Sequence, residues 1–177
     1  MADCASGSNP PYALAFEGAA CQTPSVTGIE LQLRYRPNDE WHGQLEAVVR
    51  SGEFSGKGSA WFGRQHLKET FVSALRAFPL SANDPPLTEG GFWSKERPGS
   101  LEQCHLRIAI RPYNSRGTLL VQVDLATESW ASPDKDLQQS VTIRFLTGYA
   151  ALQDFANSCE QVLDGKRAVA VLSAMAE

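Results

Sequence analysis

Apolar and polar residues alternate along three consecutive stretches in the second half of the chain: Cys104 to Arg111, Thr118 to Leu125 and Ser140 to Leu146. A period of two predicts β-strands with one buried face, because successive side chains of a strand point to opposite sides. Pro112 to Gly117 separates the first two stretches and is rich in turn-forming residues. The pattern therefore predicts an antiparallel meander.

The period changes to that of a helix in two places. From Tyr149 to Leu163 apolar residues recur every three or four positions, which predicts an amphipathic helix. Thr147 is placed to cap its N-terminus and Gly165 to end it. Arg64 to Phe78 shows the same spacing, and Pro79 should terminate that helix.

The first half of the chain contains further strand patterns. Ile29 to Tyr35 alternates regularly, and Gln44 to Ser51 follows after a turn, so the two should form a hairpin. The glycine-rich stretch that comes next predicts a hairpin turn at Ser55 to Gly58 and a short strand at Ser59 to Phe62. A further strand is predicted at Gly91 to Glu96.

Strands outnumber helices and are joined by short turns, which predicts an α+β fold. We expect a single antiparallel β-sheet of about six or seven strands, largely a meander, with two α-helices packed on one face. The other face should meet solvent and contains these residues: Glu30, Gln32, Arg34, His105, Arg107, Arg111, Gln122, Asp124 and Arg144.

The chain divides into three parts by composition. Residues 1–27 are rich in Ala, Ser, Gly and Pro and should form a mostly flexible segment. Residues 28–165 carry the strand and helix patterns and should form a single domain. Residues 166–177 form a C-terminal extension, a short helix or strand packed on an edge.

Composition and charge narrow the functional classes. The net charge of −4 and a pI near 5.4 argue against broad binding to nucleic acid or to anionic membranes, which needs a basic surface, and favour a basic partner. No apolar run is long enough for a signal peptide or a membrane span. We therefore expect a cytoplasmic protein.

The residues that most often bind metals or act as nucleophiles are scattered. Cys104 opens a strand and Cys159 lies on the apolar side of a helix, where thiols usually behave as small buried apolar groups. His42, His66 and His105 have no partner at ligand spacing. We predict no metal, no cofactor and no catalytic residue.

The stretch from Gly52 to Ser59 invites comparison with a phosphate-binding loop. The motif G-x-x-x-x-G-K-[ST] fails twice, because Gly52 and Gly56 are one residue too close and Gly58 stands where the Ser or Thr should be. We interpret these glycines as those of a hairpin turn.

Two loops place tryptophan beside acidic residues. Aromatic anchors surrounded by charge are typical of protein interfaces, although a tryptophan in such a loop more often folds back to cap the core. The candidate partner-binding residues are Asp39, Glu40, Trp41, Glu128, Trp130, Asp134 and Asp136.

The order of these features resembles that of a known family. The stretches concerned are ELQLRYRPNDEWHGQLEAVV, an F-S-G turn at Phe54 to Gly56, SALRAFPL, PPLTEGGFW, IRPYNSRGTLLVQVDLA and VTIRFLTGYAALQDFA. Between about Ile29 and Gly165 the chain resembles the bacterial WapI-like immunity proteins and their uncharacterised relatives. The resemblance implies a non-catalytic, cytosolic protein that neutralises a bacterial toxin domain by protein–protein contact. It implies no functional residues.

Two other functional hypotheses remain open. The first is a small-molecule-binding domain or an enzyme with a pocket between sheet and helices, which would need convergent polar groups there. The second is self-association through an exposed strand edge.

Overall fold

A computed structural model describes residues 28–129 and 138–175. In this part of the chain the fold is α+β, with eight strands and two helices. The strands are β1 (Glu30–Pro37), β2 (His42–Ser51), β3 (Phe54–Gly63), β4 (Leu87–Trp93), β5 (Leu101–Pro112), β6 (Thr118–Ala126), β7 (Ser140–Gly148) and β8 (Ala170–Ser173). Helix α1 covers 64–75, with α-helical Arg64–Leu67 and Ser73–Leu75 flanking a π-helical segment, Lys68–Val72; helix α2 is Tyr149–Leu163.

The strands form two antiparallel sheets of four strands each, and the prediction of a single sheet is wrong. The first sheet has the order β3-β2-β1-β8 and the second the order β4-β5-β6-β7. The predicted β1–β2 hairpin and β5–β6–β7 meander are confirmed. Alternation could not distinguish one sheet from two, because each strand buries one face in either arrangement.

The predicted turn at Ser55 to Gly58 is also wrong. The β2–β3 turn is formed four residues earlier, where Ser51 pairs with Phe54 and Gly52 adopts a φ of 57°. Only glycine adopts such a φ readily, so Gly52 is the turn residue that the geometry requires. Ser55 to Gly58 lies inside β3.

Two glycines of β3 allow the two sheets to approach each other closely. Gly56 faces Val141 of β7, and Gly58 faces Leu125 of β6 and the carbonyl oxygen of His105 in β5. Further along β3, Ala60 and Phe62 lie against a glycine of β4. β3 therefore crosses every strand of the second sheet, and side chains at its glycine positions would hold the sheets apart.

Both helices pack on the inner face of the first sheet. Apolar side chains of α1 and α2 meet those of β1 and β2 there, and the space left between them is about 10 Å³, which is at most the volume of one water molecule. The lining residues are Leu33, Leu45, Leu67, Phe71, Val72, Cys159, Val162 and Leu163. The helices are joined at their exposed side by the ion pairs Lys68–Asp164 and Arg76–Glu160.

The helix ends differ in detail from the predicted ones. The helix predicted for Arg64 to Phe78 ends at Leu75. Gly148, rather than Thr147, is the N-cap of α2. Thr147 is buried in β7, where its hydroxyl donates a hydrogen bond to the carbonyl oxygen of Ser173 at 3.1 Å. Gly165 has a φ of 72°, as expected for a residue that ends a helix.

All but one of the residues predicted to face solvent are at least partly exposed; the exception is His105, which is 1% exposed. A β-bulge explains the difference. Gly90 pairs with Leu106 but Gly91 pairs with Cys104, so His105 is an extra residue in β5 and both it and Leu106 are buried. A bulge reverses the inward and outward alternation beyond it, which the sequence pattern did not indicate.

Candidate functional site

A cleft lies where the edge of the first sheet approaches the edge of the second. β3 and β4 are the edge strands concerned, and the start of α1 forms another wall. The cleft has a volume of about 370 Å³. Its lining residues are Trp61, Phe62, Gly63, His66, Thr70, Leu87, Thr88, Glu89, Gly90 and Trp93. We call this site the edge cleft.

Large apolar side chains are exposed around the edge cleft. Trp61 is 59% exposed and Trp93 is 56% exposed, and Leu87 lies beside them. Trp41 is 66% exposed. Its main chain lies next to the start of α1, because its carbonyl oxygen accepts a hydrogen bond from the N–H of Arg64. Single exposed apolar residues are ordinary, but several around one concavity are typical of a binding surface.

Strand geometry explains why Trp61 faces outward. Along β3, Ala60 is buried against the second sheet, so its neighbour Trp61 must lie on the opposite side, across from Gln44 of β2. In β4, Thr88 is buried and the side chains of Leu87 and Glu89 lie on the outer side. The cleft therefore combines outward residues of two strands that are distant in sequence.

Helix α1 supplies the polar wall of the edge cleft. His66 and Thr70 are one turn apart, and the hydroxyl of Thr70 donates a hydrogen bond to the carbonyl oxygen of His66 at 2.7 Å. Thr70 belongs to the π-helical segment, a geometry that is frequent near functional sites. Both residues line the edge cleft together with residues of β4.

The loop between β1 and β2 contains three of the predicted partner-binding residues. The carboxylate of Asp39 accepts hydrogen bonds from the N–H groups of His42 at 2.7 Å and Trp41 at 2.8 Å, and these bonds hold the pKa of Asp39 below its ordinary value. The carbonyl oxygen of Glu40 accepts a hydrogen bond from the Arg64 guanidinium at 2.9 Å. Asp39 therefore shapes the loop, and Trp41 stands exposed rather than capping the core.

The other predicted residues do not join this loop in the described structure. Glu128 is half-buried beside His105 in the second sheet, where its charge acts on the imidazole. Trp130, Asp134 and Asp136 lie outside the described residues. The structure thus brings together Asp39, Glu40 and Trp41 and leaves Glu128 on a separate element.

A buried polar cluster surrounds His105. Its Nε2 lies 3.1 Å from the Gln103 side-chain oxygen, and its ring meets the ring of Phe92 edge-to-face at 4.6 Å. Gln103 also exchanges two 3.3 Å hydrogen bonds with the main chain of Ser129. Burial lowers the pKa of His105, partly offset by Glu128, so the imidazole is neutral at pH 7. The cluster therefore connects the segment that follows β6, through Ser129, to β5, the strand that contains the bulge.

A second charged cluster lies on the outer face of the first sheet, and the sequence reasoning missed it. The side chain of Glu46 is 6% exposed beneath three cations: Lys57 at 2.7 Å, Arg36 at 3.5 Å and Arg34 at 4.0 Å. The hydrogen bond from Lys57 and the nearby positive charges lower the pKa of Glu46. Its cross-strand neighbour Arg34 was the available signal once β1 and β2 were paired.

The described residues contain no group of three or more His, Cys, Asp or Glu side chains that could hold a metal ion. Burial raises the pKa values of the Cys104 and Cys159 thiols, and both cysteines are free. Neither has the lowered pKa of an activated nucleophile. Within 28–129 and 138–175, no helix has the length and apolar character that crossing a membrane requires.

The edge cleft was missed by sequence reasoning because its walls come from separate parts of the chain. Trp61 and Trp93 show no common motif, and only the packing of β3 on the second sheet brings their strands together. Comparison with protein-family models, with curated proteins and with solved structures gives no match.

Proposed function

We propose that this protein is a non-catalytic binding protein that contacts a partner protein through the edge cleft. The observation that supports this proposal best is the exposure of Trp61 and Trp93 on one concave surface, with Trp41 on the adjoining loop. Tryptophan dominates the energetics of protein interfaces because it buries a large apolar area with few rotatable bonds. Contact between these apolar indole rings and water is unfavourable, and burial of the rings against a partner surface would release that water.

The resemblance to WapI-like immunity proteins supports a more specific version. In that version the partner is a bacterial toxin domain, and the protein neutralises it in the cytoplasm by surface complementarity. The net charge of −4 suits a basic toxin, because opposite charges accelerate association. Asp39 and Glu40 add carboxylates next to Trp41, at the rim where charged residues influence the association rate.

A ligand pocket between sheet and helices is less well supported. That space is lined by apolar residues and holds about 10 Å³, whereas drug-sized ligands occupy pockets of roughly 300–1,000 Å³. A substrate would also need convergent polar groups, which the lining of this space does not provide. The favoured site is therefore on the surface.

Co-expression with the products of neighbouring open reading frames tests the proposal. We expect one product to co-purify with the protein, and Trp61→Ala and Trp93→Ala each to weaken the complex by about thirtyfold or more, because interface tryptophans carry about 2 kcal/mol or more. Phe54→Ala is the matched control, since Phe54 is an exposed aromatic at the other end of β3.

The stability of all three variants should stay within about 0.5 kcal/mol of the wild type, because the substituted side chains are exposed. The proposal fails if no product binds. It also fails if a complex forms and neither tryptophan variant weakens it more than Phe54→Ala does.

A further inference from the structure

In the part of the chain that the structure describes, β4 is an edge strand of the second sheet, and Leu87 to Gly90 of this strand line the edge cleft. In an antiparallel pair, opposite residues alternate between those that exchange hydrogen bonds and those that do not. Ile110 donates its N–H to the carbonyl oxygen of Pro86 at 3.0 Å, so that pair is hydrogen-bonded. The next pair, Leu87 with Ala109, is therefore not, and the alternation directs the N–H and C=O groups of Leu87 and Glu89 away from β5.

These main-chain groups lie along the cleft rather than at one end of it. The four consecutive residues Leu87 to Gly90 line it together with Trp93, whereas β3 contributes only the short run from Trp61 to Gly63. The run from Leu87 to Gly90 extends over about 13 Å at about 3.3 Å per residue. Within the described residues no strand pairs with Leu87 to Gly90 on the side away from β5, and an edge of this kind is a template for pairing with another extended chain.

The charge of the cleft indicates which charge the side chains of such an extended segment should carry. Glu89 is the one carboxylate among the lining residues, and no Lys or Arg lines the cleft. Arg107 pairs with Glu89 from outside it, at a distance of 3.7 Å. A cation near Trp61 or Trp93 would also gain from the electron-rich faces of the indoles.

We propose that the edge cleft binds an extended basic segment of the partner protein, which adds to β4 as a further strand of the second sheet. Its main chain hydrogen-bonds to Leu87 and Glu89, and a Lys or Arg side chain lies against the indoles and beside the Glu89 carboxylate. This inference rests on the proposed function and specifies the conformation and charge of the segment that is recognised.

Synthetic peptides test the inference directly. The probe is an acetylated, amidated seven-residue peptide in which Lys alternates with Val, and the charge control replaces each Lys by Glu. We expect the basic peptide to bind at least about tenfold more tightly than the acidic one and to slow hydrogen exchange of the Leu87 and Glu89 amides. Equal binding of the two peptides, or no protection at these amides, overturns the inference.

Two substitutions separate main-chain pairing from side-chain contact. Leu87→Pro removes the outward N–H, which β5 does not use, whereas Leu87→Ala removes only the side chain. The proline variant should bind the peptide at least about threefold more weakly than the alanine variant, because one hydrogen bond is lost. Equal binding by the two variants contradicts strand addition.

Peptides N-methylated on alternate amides provide a measurement that does not depend on how the proline variant folds. Only one of the two alternating sets of amides can face β4, so methylation of that set alone should abolish binding. Equal effects of both sets overturn the inference. Partner capture that needs Trp61 and Trp93 but is insensitive to Leu87→Pro would overturn strand addition and leave the proposed function intact.

Light scattering distinguishes a second copy of this chain as the occupant. We expect the free protein to be a monomer with an accessible β4 edge. A dimer that Leu87→Pro dissociates would overturn the inference in favour of edge-to-edge self-association.

Discussion

Replacing Gly58 by alanine tests the close crossing of β3 over the second sheet. A Cβ atom at this position would lie 2.3 Å from the carbonyl oxygen of His105 and 3.2 Å from the Cβ of Leu125. Ordinary contacts between carbon and oxygen begin near about 3.3 Å, so the strands would have to separate by roughly 1 Å. The obstructing atom belongs to the main chain of a central strand and cannot rotate away.

The expected cost is about 2–3 kcal/mol. Overpacking in a well-packed interior costs about 1–3 kcal/mol, and a clash with main chain belongs at the upper end of that range. Alanine also reduces the conformational entropy of the unfolded chain, which stabilises the folded state by about 0.4–1 kcal/mol and offsets part of this cost. The net loss is therefore about 1–2.6 kcal/mol, which for a domain of this size corresponds to a melting temperature lower by roughly 2–10 °C.

Urea unfolding followed by tryptophan fluorescence measures the effect as a lower midpoint with an unchanged slope. Gly28→Ala is the matched control, because nothing lies within 4 Å of the added Cβ, and it should change the free energy of unfolding by less than about 0.5 kcal/mol. If Gly58→Ala were as stable as the control, the two sheets would not approach as closely as described and our account of the β3 glycines would be wrong.

Two further predictions concern pH. The pKa of Glu46 is lowered, so its stabilising ion pairs are fully present above the ordinary glutamate pKa of 4.5 and are lost as pH falls through the folded value. Glu46→Gln should cost about 1 kcal/mol in urea unfolding at pH 7 and progressively less as pH falls below 4.5, and a cost that does not change with pH would refute this. Burial lowers the pKa of His105 below 6.5, so protonation favours the unfolded state and stability should fall as pH drops from 6.5 towards the folded pKa. His105→Leu should reduce that slope by up to about 1.4 kcal/mol per pH unit, and an unchanged slope would count against a buried neutral imidazole.

The local elements followed from the sequence where one strong pattern governed a stretch. The meander of β5, β6 and β7 and the extent of α2 were predicted from periodicity, because a buried face requires apolar residues at the period of the element. The glycines of β3 were misinterpreted for a related reason. Glycine serves both turns and close approaches of strands, and only contacts between strands distant in sequence distinguish the two.

The candidate site depended on tertiary structure much more than the fold did. The loop residues Asp39, Glu40 and Trp41 were predicted together because they are adjacent in the chain. Trp61 and Trp93 were not, because their relation depends on two sheet edges meeting.

By itself, the sequence determined the α+β class, the antiparallel hairpin and meander, and the amphipathic helices, since each of these reflects the burial of one face of a local element. Tertiary structure decided the division into two sheets, the burial of His105 at a bulge and the edge cleft with its tryptophans. The physical reason is that periodicity specifies which face of a strand is buried but not what buries it. That choice depends on long-range packing between strands, which no single stretch of the chain encodes.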